Sequence, residues 1–423
     1  MRSDLALPLR QQRERASRGR RIVFVCLVFY PDSSASSLLF TDLFRELARD
    51  GAEITVLTGF PSKDSREQVS SLPRSERLDG IEIVRCGMRL RGKRNLFARA
   101  LAYGSFLAHA GWKLLWLGGG ATVVGGTDPP FTSIALWLLS RIGRFDYQCI
   151  LLDVYPDGLV GIGQVDDRSL VTRLWRALNR RSFRRARRLT VIGRDMIALL
   201  ERRYGVDPRE VTYIPHWGSQ EVDRLADAAR GDLLRRLGLE HKFVVQYSGN
   251  MGLWHDIDSF VRAAEHLQHD HRIHFLFIGK GRRRQAAERL SRRLGLTNVT
   301  WLEFVPRDQL GETLASCDLA LISMRAGLEG VAVPSKLYGI LASGRPILAQ
   351  VPRESEVAYA VEEEQCGIVV DPGDVDGLVE AIRALAADTD LLSRMGANAL
   401  SAYRSKYTID RAAVSFRELW ELT

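Results

Sequence analysis

Residues 326–350 read AGLEGVAVPSKLYGILASGRPILAQ. Gly327, Leu328, Glu329 and Gly330 make an acidic, glycine-bearing loop. Pro334 and Ser335 stand where a helix begins, with Ser335 the N-cap candidate and Lys336 in the first turn. Gly344 stops that helix, and RPILA at 345–349 reads as the next, buried strand. Loop, helix and buried strand in this order are one unit of an α/β domain. Such a unit can be ordinary architecture. It can also hold a diphosphate, because a helix start presents unpaired N–H groups and a cation beside them adds charge. The rest of the chain weighs on the choice.

Outward from this stretch the same grammar repeats. RIVFVCLVF at 21–29 has the pattern of a strand covered on both faces by helices. A small polar loop follows at 30–37, then helical spacing through Leu39, Leu43 and Leu47, then a second strand at 51–58. Further strand-like runs lie at 81–85, 121–125, 148–152, 188–192 and 211–215. Two of them end in TDPP (127–130) and DVYPDG (153–158), which place carboxylates at strand ends, where open α/β sheets bind ligands. Asp beside Pro and Gly is equally ordinary turn chemistry.

The polar stretch 220–235 lacks strong periodicity and reads as a linker. Beyond it strands alternate with glycine loops, SGNMG at 248–252 and GKGR at 279–282, and with amphipathic helices. The expectation is an α/β protein of two doubly wound, Rossmann-like domains facing each other across a cleft. Its parts are a basic arm at 1–20, a domain at 21–218, a linker at 219–240, a second domain at 241–408, and a helix at 409–423 returning toward the first domain.

Composition bounds the function. The 423 residues suffice for two domains of roughly 200 each. The five cysteines are scattered, with no CxxC pair and no Cys/His ligand spacing, which argues against a disulfide framework and a structural zinc and favours a reducing cytoplasm. The net charge of +9 is unevenly placed. Residues 1–21 hold seven arginines and no apolar signal-peptide core. Residues 88–99 carry five cations and residues 173–188 eight, neither with an acid. Solvent, an anionic membrane surface or nucleic acid could answer such charge; the interleaved Trp and Leu favour the membrane over nucleic acid, for which no recognition motif exists. The apolar stretch 106–117, interrupted by His109 and Lys113, is too short to span a bilayer. GxGxxG and GxxxxGK[ST] are absent, so neither a tightly held dinucleotide nor a P-loop is indicated. Loop glycines near Lys280, Arg282, Arg325 and Lys336 fit a phosphate-bearing ligand.

Taken in order, SGN (248–250), GKG (279–281), FVP (304–306), PSKLYG (334–339) and ASGRPIL (342–348) resemble the retaining family 4 glycosyltransferases of the GT-B fold. The likeness is to the branch that includes bacterial N-acetyl-fucosaminyltransferases of surface-polysaccharide synthesis. The 30–37 loop, TDPP and DVYPDG share it, so it covers nearly the whole chain from Arg21 on.

The resemblance implies a nucleotide-sugar, UDP-linked, in the carboxyl-terminal domain. Amides around Val305 would read the base, and Gly281 and Arg282 would line the nucleoside pocket. Gly249 and Asn250, with Ser335 and Lys336, would hold the diphosphate. Lys280 would add charge, and the loop bearing Ser34 would close over the donor. Departures fall at Val331 and Gly339, where the family often carries acids, and at Asn250 and His255, where it often carries an Arg and a Lys. The catalytic candidates are accordingly Asp153, Asp157, Glu329 and Lys336.

The implied reaction is transfer, with retention and without a metal or other cofactor, of a hexosyl or N-acetylhexosaminyl group to a lipid-linked saccharide. N-acetylated amino- and deoxy-sugars are the candidates for the sugar, and lipopolysaccharide-type surface polysaccharide is the product class. The enzyme would be cytoplasmic and peripheral at the inner face of the plasma membrane, with no nucleic-acid partner. The rivals are a non-catalytic sugar-nucleotide-binding protein and a UDP-sugar 2-epimerase.

Overall fold

The computed structural model of the chain describes residues 21–32, 34–61, 72–89, 96–143, 145–218, 232–303 and 310–422. The expected arm at 1–20, part of the basic 88–99 cluster, most of the expected linker and the FVP segment with Val305 lie outside these residues.

Uninterrupted apolar runs form the central strands, because a strand covered by helices on both faces has no polar side. The first sheet contains β1 (Ile22–Val25), β2 (Ile54–Thr58), β3 (Ser75–Leu78), β4 (Ile81–Arg85), β5 (Thr122–Gly125), β6 (Tyr147–Leu151), β7 (Arg188–Val191) and β8 (Val211–Tyr213). Its order is β3-β4-β2-β1-β5-β6-β7-β8. The pairs from β4 through β2, β1 and β5 to β6 are parallel, and β3 is an antiparallel edge. All four residues of β1 are buried.

The second sheet contains β9 (Phe243–Ser248), β10 (Ile273–Ile278), β11 (Val299–Leu302), β12 (Leu319–Ser323), β13 (Ile347–Gln350) and β14 (Gly367–Val370). Its order is β11-β10-β9-β12-β13-β14, parallel throughout. This is the 3-2-1-4-5-6 order of a doubly wound domain. The chain leaves β9 toward one edge and β12 toward the other, so their carboxyl ends flank a crevice. Val245, Tyr247, Phe260, Phe275 and Leu321 are among the side chains that fill the core against this sheet.

Residues 1–150, 181–189 and 413–423 group as one compact unit, and residues 151–180 and 190–412 as another. Residues 151–180 and 190–218 of the expected first domain group with the second unit. The reason lies in backbone ties within the second unit: Val154 N–H donates to Val331 O (2.8 Å), Asp153 bridges Ala332, and Gly218 N–H donates to Tyr407 O (3.0 Å). The linker expectation at 219–240 also overlaps a helix, Asp232–Leu237, with Leu233 and Leu234 buried. The last helix, Ile409–Trp420, enters the first unit at Ala413, where Trp420 packs on Phe44 and Arg417 pairs with Asp50. No described helix is long and apolar enough to cross a membrane.

Candidate functional site

Two loops meet at the crevice of the second sheet, one after β9 and one after β12. In the first, Tyr247 is the last buried residue of its strand, and its hydroxyl donates to Asn250 O (2.9 Å), which curls the loop back over its own ring. The loop after β10 packs directly on it: Met251 N–H donates to Lys280 O (2.7 Å) and Arg283 N–H to Met251 O (2.9 Å). Gly281 makes this possible, since its φ is +148° and a Cβ there would overlap the Met251 carbonyl. This glycine thus admits another backbone segment.

Lys336 reaches the same place from the loop after β12. Its Nζ lies 3.6 Å from the centroid of the Tyr247 ring, and a Cβ at Gly249 would be 3.8 Å from it. The ammonium is buried and has no hydrogen-bond partner. Burial pushes its pKa well below the usual lysine range. The ring face offers a cation–π contact but no acceptor. An anion is what this ammonium lacks.

His255 completes the group. Its Nδ1 is 2.7 Å from Ser323 O, and a carbonyl only accepts, so Nδ1 carries the proton and Nε2 keeps a lone pair. Burial, reinforced by the charge of Lys336, holds its pKa down to about 3 despite the Ser323 bond. The imidazole is neutral wherever the protein works, and Lys336 is the member of the pair that a bound anion would hold protonated.

A cavity of about 440 Å³ opens beside this cluster within the second unit. Asn250, His255, Gly281 and Arg282 line one side, and Tyr155 and Trp254 contribute aromatic surface. The two rings lie 6.3 Å apart, and Tyr155 also stacks on Trp175 at 6.4 Å. The sequence reading named Tyr155 only as part of its turn and did not single out Trp254 or Tyr247, because aromatic residues near strand ends read as core.

The acidic candidates differ in availability. Asp157 is buried, and its carboxylate accepts from Arg176 (2.7 Å) and the Tyr204 hydroxyl, with Arg203 at 3.5 Å. Its lone pairs serve this network, so the geometry casts it as a structural anchor. Glu329 is half-buried and accepts the Gly327 N–H through Oε1 (3.0 Å). Asp153 is half-buried in the bridge to Ala332. An acid that no motif indicated, Asp195, is buried behind the same loop. Its Oδ2 accepts from Gly330 N–H (2.8 Å), its Oδ1 has no partner, and burial raises its pKa to about 6. Gly330 is required there, since a Cβ would overlap the Asp195 backbone.

The remaining candidates are spread out. Lys280 is 71% exposed and pairs with Glu303 (3.6 Å). Ser335 occupies the N-cap position but has helical φ and ψ of −61° and −17° and makes no capping bond, so the cap expected from sequence is absent. The helix it precedes, Lys336–Ala342, has seven residues. Ser34 precedes the helix Ala35–Arg49 in the first unit, with its Oγ buried and unpartnered. Among the described residues no group of three His, Cys, Asp or Glu is placed to hold a metal ion.

Residues 232–401 match the family described as Glycosyl transferases group 1, and residues 39–217 match the Glycosyl transferase 4-like domain. A protein of Pseudomonas aeruginosa named as glycosyltransferase WbjE is 27% identical over 302 residues, 71% of this chain and 75% of its own. WcaI of Escherichia coli K12, named as a glycosyl transferase of colanic acid biosynthesis, is 24% identical over 376 residues, 86% of this chain and 91% of its own. The structure of HepE from Anabaena, solved with UDP, superposes with a TM-score of 0.69 at 15% identity, covering 95% of this chain and 99% of that one.

Proposed function

The chain is a group 1 glycosyltransferase of GT-B fold, and from that premise we propose that it moves a sugar, with retention, from a UDP-linked donor to a lipid-linked saccharide in surface-polysaccharide synthesis. The observation that carries the donor assignment is the unpartnered Lys336 ammonium at the crevice between β9 and β12. A diphosphate is the group that the ammonium and the Asn250 loop would satisfy together. UDP is favoured because HepE, which shares the fold, was solved with it. The acceptor reading draws on the basic first half of the chain and on the naming of WcaI for colanic acid biosynthesis.

In the transfer, the bond from the anomeric carbon to the diphosphate breaks as the acceptor oxygen bonds to that carbon on the same face. Charge develops on the departing diphosphate, and Lys336, fixed in advance with little reorganisation left to make, stabilises it there. Neutral His255 cannot share that charge, but its Nε2 can accept from a donor hydroxyl. The Tyr155 and Trp254 rings offer flat apolar faces against which a sugar or base can be oriented. The acceptor hydroxyl must lose a proton; Asp153 and Glu329 are the half-buried carboxylates near the loop, whereas Asp157 is committed to Arg176 and Tyr204. With Lys336 carrying the charge, the step is proposed to need no metal.

The test is Lys336→Ala, which should lower turnover by roughly 10²–10³, as loss of a preorganised charge donor does. Near-normal turnover removes Lys336 from the mechanism. Donor binding with neither transfer nor hydrolysis in the native chain would instead favour a binding protein.

A further inference from the structure

We propose that the helix Leu96–Leu117, with the neighbouring helix Thr132–Gly143, seats the protein on an anionic lipid bilayer. The inference rests on the proposed lipid-linked acceptor and names the surface that brings the enzyme to it.

The helix Leu96–Leu117 is apolar on both sides. Ala102, Phe106, Ala110 and Leu114 are buried at helical spacing. Among the described side chains, the exposed positions 100, 101, 104, 108, 112, 115 and 116 are Ala, Leu, Gly, Ala, Trp, Leu and Trp, and from 101 on they recur at helical spacing. None is polar. Trp112 is 62% and Trp116 75% exposed, and their rings meet edge to face at 6.2 Å. The neighbouring helix touches the first at Gly111, where a Cβ would be 3.0 Å from Leu139, and it adds Leu138 (53%) and Ile142 (74%), one turn apart. An apolar surface joined across two helices is more than the scattered exposed leucines of ordinary proteins.

Charge selects the occupant. Between Cys86 and Phe145 Asp128 is the only acid, against eight Lys and Arg. Lys113 lies on the first helix beside the Trp pair, and exposed Arg141 on the second. Indole rings flanked by cations suit the interface of a bilayer rich in anionic headgroups. A second copy of this chain would bring two such cationic surfaces together, which the charge opposes. No described helix can cross the bilayer, so the contact is shallow and lies in the plane of the headgroups.

The test is sedimentation of the full chain with vesicles of phosphatidylcholine alone or mixed with phosphatidylglycerol, at low and high salt. The native protein should bind the anionic vesicles in a salt-sensitive way. Trp112→Ala with Trp116→Ala should weaken that binding by roughly tenfold or more, because two exposed aromatic side chains lose their apolar contact. Leu138→Ser with Ile142→Ser, on the second helix, should weaken it as well. All variants should retain the native melting temperature, since the replaced side chains face solvent. Binding that survives both pairs of substitutions overturns the proposal. So does a native protein that ignores anionic vesicles, or one that dimerises through Trp112 and Trp116 instead. If vesicle binding depends on these residues but no sugar reaches a lipid-linked saccharide, the docking surface stands and the acceptor reading falls.

Discussion

At Lys336 an ammonium is buried against Tyr247 with no acceptor, an arrangement that destabilises the ligand-free protein. Lys336→Met should therefore raise the melting temperature of the free protein, by about 2–4 °C for each kcal/mol recovered, while lowering turnover. Calorimetry beside a turnover assay checks both, and an equal fall in stability and activity would contradict it. Asp195 poses a different residue-scale question. Its folded pKa of about 6 lies above the ordinary 3.8, so the folded chain holds this proton more tightly than the unfolded one. The stabilisation is complete below pH ~3.8 and is lost as the pH rises through about 6. Asp195→Asn keeps an acceptor for Gly330 N–H and removes that slope. Its stability relative to the native protein should improve by roughly 2–3 kcal/mol between pH 4 and pH 7, measured by urea unfolding at each pH. Lys336 was legible in the sequence as a cation behind a glycine loop. Asp195 was not, because an acid in the first turn after a strand is what any such helix carries.

Among the elements, the loops after β9, β10 and β12 form one interlocked set, and the glycines hold it together. Gly281→Ala places a methyl group on the Met251 carbonyl at a φ that L-residues avoid. It should destabilise the second unit by about 2 kcal/mol or more and weaken donor binding with it, read by urea unfolding and by donor-induced protection. Unchanged stability would mean the loops are not packed as described. The short helix Asp157–Gly161 makes a contrasting case. Asp157→Asn leaves Arg176 and Arg203 with only the exposed Asp167 as partner and should cost about 1–3 kcal/mol of stability. The pH–rate profile of the remaining activity should keep its shape, since the geometry gives Asp157 no free position for a proton. A lost ionisation in that profile would restore it as a proton carrier. The central strands were legible because their apolar runs are uninterrupted, whereas the antiparallel edge β3, SERL, has no such run and went unread. The helix Asp232–Leu237 was not, because six residues are under two turns and leave no period to detect. The Ser335 cap failed for a related reason: the residue type matched, but its backbone is already helical.

For the whole molecule, alternating strand and helix patterns carried the doubly wound architecture, and the second sheet has the strand order that follows from it. What the sequence could not show is that residues 151–180 group with the second unit. Asp153 and Val154 are tied to Ala332 and Val331 across nearly the length of a domain, and no local pattern announces a partner that far along. The central claim joins both scales: a UDP-linked sugar binds the second unit, with Lys336 answering its diphosphate. The direct measurement is a thermal-shift screen of the native chain and Lys336→Ala against UDP-, GDP-, dTDP- and ADP-sugars. UDP-sugars should raise the melting temperature of the native protein, and the shift should shrink or vanish in the variant. A shift from another nucleotide class, a shift undiminished in Lys336→Ala, or no shift at all would contradict that claim.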